Sequence, residues 1–129
     1  MGEGIEYICR DCGFRNEICY GPGFLSSPRN PETRERALNG KYGPRPRKVL
    51  EAHPEADCSW YRPLFHCSCG NLSAKDAVII TDEDRILYRP SMRCNICHRR
   101  MWEIIEPPRF APCPRCGSMM RCDVTVLWD

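Results

Sequence analysis

Eleven cysteines stand in this chain of 129 residues. Eight form four close pairs: Cys9-Arg10-Asp11-Cys12, Cys67-Ser68-Cys69, Cys94-Asn95-Ile96-Cys97 and Cys113-Pro114-Arg115-Cys116. A Cys-x-x-Cys turn aims two thiolates at one point, and two such turns enclose a tetrahedral ion. Four turns therefore predict two four-cysteine metal sites. Grouped in sequence order, the first is Cys9, Cys12, Cys67 and Cys69, and the second is Cys94, Cys97, Cys113 and Cys116. The second follows Cys-x2-Cys-x15-Cys-x2-Cys, a recognised zinc spacing, with Pro114 and Gly117 suited to a tight turn. The first has one Cys-x-Cys turn and a long intervening loop, so Cys58 or His66 is the alternative ligand there for Cys67 or Cys69. Two zinc ions are the expected cofactors.

A zinc ion held by four thiolates is coordinatively closed and has no position for an activated water. Such metals are structural. No Gly-x-Ser-x-Gly elbow, phosphate loop or His-Glu-x-x-His helix accompanies them, so the chain is not expected to be an enzyme. Iron is the rival metal at the second site, because the Cys-Pro-x-Cys-Gly turn at 113–117 suits a rubredoxin-like centre. Zinc is favoured because His98, rather than glycine, follows Cys97. Two other matches are set aside. Cys94-Asn95-Ile96-Cys97-His98 matches a c-type haem attachment sequence, but that chemistry strands Cys113 and Cys116. His53-Pro54-Glu55 with Pro112-Cys113 and Cys116 superficially matches a zinc deaminase, yet Pro54 disfavours the helix that such a site needs. Cys19 and Cys122 read as small strand hydrophobes.

Small modules bury little apolar surface and need a metal or disulfide staple. Disulfides fit poorly with an odd cysteine count and an acidic start, Met1-Gly2-Glu3-Gly4-Ile5-Glu6, without an apolar run. Glu6 also occupies the Ser/Thr position of a myristoylation motif. A reducing cytoplasm is expected, with no membrane association, since no 18-residue apolar stretch exists. Each four-thiolate site holding one divalent ion adds −2, so two sites take the formal net charge of +2 to −2. Overall charge therefore argues nothing about nucleic acid, and only a local basic patch could.

The elements must deliver these turns. Residues 3–8 read as a strand into the first turn, 14–20 as its return, and Gly21-Pro22-Gly23 as a break. Asn30-Pro31-Glu32 is a helix start, with Asn as cap and Pro in the first turn, and Gly40 ends that helix. A second helix runs from about Arg45 to Ala52, before His53-Pro54. Residues 60–66 form one strand into Cys67. Residues 77–80 and 86–88 flank an acidic hairpin turn at 81–84, and residues 101–105 and 121–128 supply the last strands. In the latter, Cys122, Val124, Val126 and Trp128 alternate with polar neighbours and Leu127. The expected fold is small, metal-stabilised and mainly β, with a short α-helical insertion at about 25–56. The first module covers 1–80 and the second 81–129, on a shared plan that suggests internal duplication.

At these cysteine turns the chain resembles the zinc-ribbon superfamily, in which Cys-x-x-Cys turns at hairpin tips clamp one zinc ion. The resemblance spans 3–20 and 60–129, and the Cys67-Ser68-Cys69 turn departs from its usual spacing. Gly21-Pro22-Gly23-Phe24-Leu25, Asn39-Gly40 and Glu51-Ala52-His53-Pro54 are similar to segments of small bacterial zinc-ribbon proteins of unassigned role. That likeness implies a bacterial cytoplasmic protein and no particular mechanism. The leading expectation is a non-enzymatic adaptor that displays loops and strand edges to a protein partner. The alternative is nucleic-acid binding through Arg29, Arg34, Arg36, Lys41, Arg45, Arg47 and Lys48, which outnumber Glu32 and Glu35, with Tyr42 able to stack on a base. Against it, pairs such as Glu32 with Arg36 simply support a solvated helix. A third class is a rubredoxin-like iron or redox protein.

Overall fold

A computed structural model describes residues 2–21 and 30–128. Strands β1 (Gly2–Ile8) and β2 (Arg15–Tyr20) are followed by helices α1 (Pro31–Leu38) and α2 (Pro44–Ala52). Then come β3 (Asp57–Tyr61), β4 (Leu64–His66), β5 (Leu72–Ala74), β6 (Ala77–Asp82), β7 (Arg85–Tyr88), β8 (Trp102–Ile104), β9 (Phe110–Pro112) and β10 (Met119–Trp128). They form three sheets, ordered β2-β1-β10-β9, β5-β4-β8 and β3-β6-β7. No helix among the described residues is long and apolar enough to cross a membrane.

The sheets nest. The outer one joins the two ends of the described chain: β1 runs antiparallel to β10 from Gly2 opposite Trp128 to Ile8 opposite Arg121. Within that frame, β4 pairs with β5 on one side and β8 on the other. In both sheets, the strand that enters an earlier cysteine turn pairs with the strand that leaves a later one. A division into successive modules at 80/81 is therefore corrected, because the β1–β10 and β4–β8 pairings both cross it.

The helical stretch belongs to a third unit without cysteine pairs. Ala37 and Leu50 pack on Ala56, just before β3, and on Cys58, Val78 and Ile80 of the β3-β6-β7 sheet. The Asn30 side chain accepts from the Glu32 amide at 3.0 Å, capping α1 as expected. Arg34 donates through Nη1 to the Ala56 carbonyl (2.5 Å) and through Nη2 to that of Pro54, tying α1 to the chain beyond α2. The single strand expected at 60–66 is two, since Arg62-Pro63 interrupts it; Pro63 has no amide hydrogen for a ladder. The short strands β5 and β9 were not anticipated. In β10 the period-two pattern fails at Val124, which is 62 % exposed. A register shift opposite Gly4 and Ile5 leaves Thr125 unpaired there, and such a bulge twists its strand.

The outer and inner sheets share one core. Ile5, Tyr7, Ile18 and Met120 of the outer unit pack with Leu64 and Leu72 of the inner. The Asn16 carboxamide donates to the Leu72 carbonyl at 2.8 Å, and Arg62 Nε donates to that of Cys19 at 3.0 Å. Gly70, at φ +98°, lies so close to the outer unit that a Cβ would stand 2.5 Å from the Pro112 carbonyl oxygen. The Gly70→Ala variant is therefore expected to lose about 2–4 kcal/mol, from backbone strain and overpacking together. Gly13→Ala, at φ +78° with open space around it, meets only the conformational cost of about 1–2 kcal/mol. Denaturant unfolding of the metal-loaded variants measures the difference.

Candidate metal centres

All eight paired cysteines gather into two clusters, but not in sequence order. Cys9 and Cys12 meet Cys113 and Cys116, while Cys67 and Cys69 meet Cys94 and Cys97. The sets Cys9, Cys12, Cys67, Cys69 and Cys94, Cys97, Cys113, Cys116 are thereby corrected. The reason is topological: β1 leads into the first turn and β10 out of the last, so their pairing sets those two turns side by side. The β4–β8 pairing does the same for the second and third turns.

The four turns share a local design. In each, the first cysteine amide donates across the turn: Cys9 to Phe14 O at 2.8 Å, Cys67 to Asn71 O at 2.9 Å, Cys94 to Arg99 O at 2.8 Å and Cys113 to Ser118 O at 2.7 Å. The residue after the second cysteine has positive φ: Gly13 +78°, Gly70 +98°, His98 +62° and Gly117 +81°. His98 thus takes the left-handed position that glycine holds in the other three turns. The first cysteine of every turn is buried; the second is exposed in the outer cluster (Cys12, Cys116) and half-buried in the inner one (Cys69, Cys97).

The geometry fits an ion in each cluster. The Sγ···Sγ separations are 3.4 Å for Cys9–Cys116 and 3.5 Å for Cys12–Cys113. In the inner cluster they are 3.3 Å for Cys67–Cys97 and 3.7 Å for Cys69–Cys94. A disulfide requires about 2.05 Å, whereas a tetrahedral ion with metal–sulfur bonds near 2.3 Å spaces its sulfurs about 3.8 Å apart. Donors are aimed at the sulfurs. The Ile96 and Cys97 amides point to Cys94 Sγ at 3.3 and 3.5 Å, and the Arg115 amide to Cys113 Sγ at 3.4 Å. The buried Asn71 carboxamide lies 3.5 Å from Cys94 Sγ and donates to Asn95 Oδ1 at 3.0 Å, bridging the two inner turns. Across the outer site, the Arg115 guanidinium stands 5.2 Å over the Phe14 ring.

These donors set the thiols' acidity. Burial raises the Cys94 thiol, but the Cys97 and Ile96 amides and then Asn71 bring it down to about 6. The hydroxyl and then the amide of Ser118 hold Cys116 at about 6. Burial acts the other way on Cys69, pushed up to about 12. In each cluster, then, at least one sulfur is already a thiolate near neutral pH.

The remaining candidates lie elsewhere. Cys58 is buried in the helical unit, and burial pushes its thiol up to about 11. His66 packs edge-on against Trp102, with ring centroids 5.2 Å apart. Cys122 is half-buried beside the outer core and Cys19 is exposed. His53 caps the end of α2 and joins neither cluster. Of the basic residues, Arg29 falls outside the described residues. Arg34 is committed to carbonyls, Arg36 pairs with Glu32 at 2.5 Å and Arg47 with Glu51 at 3.0 Å. Lys41 sits 5.6 Å over the Tyr42 ring. Arg45 and Lys48 carry no ion pair among the described residues.

Two predictions test this arrangement. Replacing Cys9, Cys12, Cys113 and Cys116 by Ser leaves one tightly bound ion per chain, whereas replacing Cys9, Cys12, Cys67 and Cys69 leaves none; native mass spectrometry counts the ions. Asn71→Leu lowers metal affinity at the inner site about 10–100-fold, the usual effect of losing a ligand's outer hydrogen-bond partner, and spares the outer site in a chelator competition.

Comparison with protein-family models, with curated proteins and with solved structures finds no match for this chain.

Proposed function

We propose that this is a non-enzymatic zinc protein, in which two structural ions staple the outer and inner units and the surface binds a protein partner. What carries the reading is the donor set. Each cluster offers four sulfurs within 4.8 Å of one another, with amide donors turned towards them, and four thiolates complete a tetrahedral shell. The outer sheet supplies an interaction face. Ile8, Phe110 and Met119 are 43 %, 53 % and 66 % exposed. They line a cavity of about 560 Å³ with Arg10, Asp11, Arg121 and Asp123 around it. An apolar patch with a charged rim suits a protein-binding adaptor, and the bacterial cytoplasm is the setting that the zinc-ribbon resemblance implies for it.

A second reading, a rubredoxin-like iron centre, gains support at the outer site. The preference for zinc rested on His98 following Cys97, and that turn belongs to the inner cluster. The outer cluster instead unites Cys9-Arg10-Asp11-Cys12-Gly13 with Cys113-Pro114-Arg115-Cys116-Gly117, so glycine follows both of its turns. Spacing does not separate the two metals.

Elemental analysis with an absorption spectrum decides. Two zinc ions per colourless chain are expected; visible thiolate-to-iron bands identify iron, and less than one ion per chain overturns both readings. Strong chelator is expected to unfold the protein, since metal binding is part of its folding free energy. Acidification also releases the ions, because protons compete for the thiolates. A bound ion keeps its sulfurs ionised, so metal content followed by pH titration is expected to hold at neutral pH, fall on acidification and recover when the protein is neutralised. For the partner, Phe110→Asp with Met119→Glu keeps both ions and loses cross-links formed by wild type in the native cell.

A further inference from the structure

Between the helical unit and the third cysteine turn lies a second cavity, of about 300 Å³, lined by Arg45, Ser91, Met92, Arg93 and Arg100. Arg93 and Arg100 stand directly opposite each other in an isolated antiparallel bridge. Directly opposed residues project from the same side of a ladder with Cβ atoms about 4.5–5.5 Å apart, and like charges there are destabilising. Arg45, in the first turn of α2, brings a third guanidinium to the same concavity. None of the three forms an ion pair among the described residues. Arg93 Nη1 donates to the His98 carbonyl at 3.3 Å. Close by, Lys75 Nζ takes the Ser91 carbonyl at 2.5 Å, adding positive charge beside the cavity.

All three residues are exposed; the isolated bridge fixes the backbones of two of them opposite each other, and α2 brings the third to the same concavity. A concave site lined by one sign of charge focuses potential on an ion of the opposite sign, and the guanidinium fork matches phosphate oxygens. We propose that Arg45, Arg93 and Arg100 form a phosphate-binding site at the junction of α2 and the third cysteine turn, separate from both thiol clusters. The ligand chemistry is a phosphate group, free or in the backbone of single-stranded nucleic acid. The site shares only Arg45 with the basic run 29–48, and takes its other cations from residues flanking Cys94 and Cys97.

The test uses the full-length, metal-loaded protein at low salt. Inorganic phosphate and pyrophosphate are titrated while the arginine Nε–H signals are followed by NMR. In a parallel arm, a labelled single-stranded oligonucleotide is followed by anisotropy. Saturable shifts at Arg45, Arg93 and Arg100 are expected. Arg45→Gln and Arg100→Gln each weaken binding tenfold or more, with metal content unchanged, while the control Arg109→Gln leaves it as in wild type. Displacement of phosphate by the oligonucleotide, with a log–log salt slope near −2 (about −0.7 for each of three neutralised charges), identifies nucleic acid as the source. Phosphate binding that the oligonucleotide does not displace identifies a free phosphate. Absence of binding in both arms, or binding that survives Arg45→Gln and Arg100→Gln together, overturns the proposal.

Discussion

Thiolates separated by a hundred residues reach one ion only if the backbones carrying them are already in register. Here that register comes from β1 lying antiparallel to β10, with Ile8 opposite Arg121 just behind the outer cysteines. The pairing brings two tight turns to the same end of one sheet, and each turn supplies two sulfurs without further adjustment. The β4–β8 pairing repeats the arrangement inside the first. Neither sheet has a large core: a handful of side chains around Tyr7, Leu64 and Leu72 serve both. Small assemblies of this kind are held by covalent or coordinate staples rather than by burial alone, so strand register and metal binding stabilise one another.

The two clusters are chemically unequal although their turns are alike. The outer one carries exposed Cys12 and Cys116, while the inner one keeps Cys69 and Cys97 half-buried and adds Asn71 between its turns. Their surroundings differ too. The outer sheet turns an apolar row to solvent, whereas the inner turn at 94–97 is flanked by arginines. One scaffold therefore presents two surfaces of different character, one apolar and one basic.

Much of this was legible in the sequence. Cysteine spacing is a local property, because a Cys-x-x-Cys turn depends on hydrogen bonds a few residues long; all eight cysteines in the clusters could be named from it. The helices were equally local, announced by Asn30-Pro31-Glu32 and bounded by Gly40 and His53-Pro54. Which pair of cysteines meets which other pair is not local. It is decided by strand pairings that span most of the chain, and proximity in sequence pointed to the wrong partners. The pairing also bears on the metal, because the partner of the turn at 113–117 is the turn ending at Gly13 and not the one at Cys97. The short strands escaped notice for a related reason. Three residues such as Phe110-Ala111-Pro112 have no periodicity to detect, and a neighbour alone makes them a strand.

Nesting also imposes an order on synthesis. Cys69 and Cys94 are 25 positions apart, whereas Cys12 and Cys113 are 101 apart. Two doublings of loop length cost about 1.2 kcal/mol more in closure entropy, a modest penalty; timing weighs more. As the nascent polypeptide leaves the ribosome, Cys9, Cys12, Cys67 and Cys69 emerge before either later turn exists. The first tetrad on offer to a passing ion is thus the one absent from the finished protein. No strand pairing among the described residues sets those two pairs in register, so an ion caught between them is held less firmly than in either finished cluster and passes to the later turns as β8 and β10 take their places.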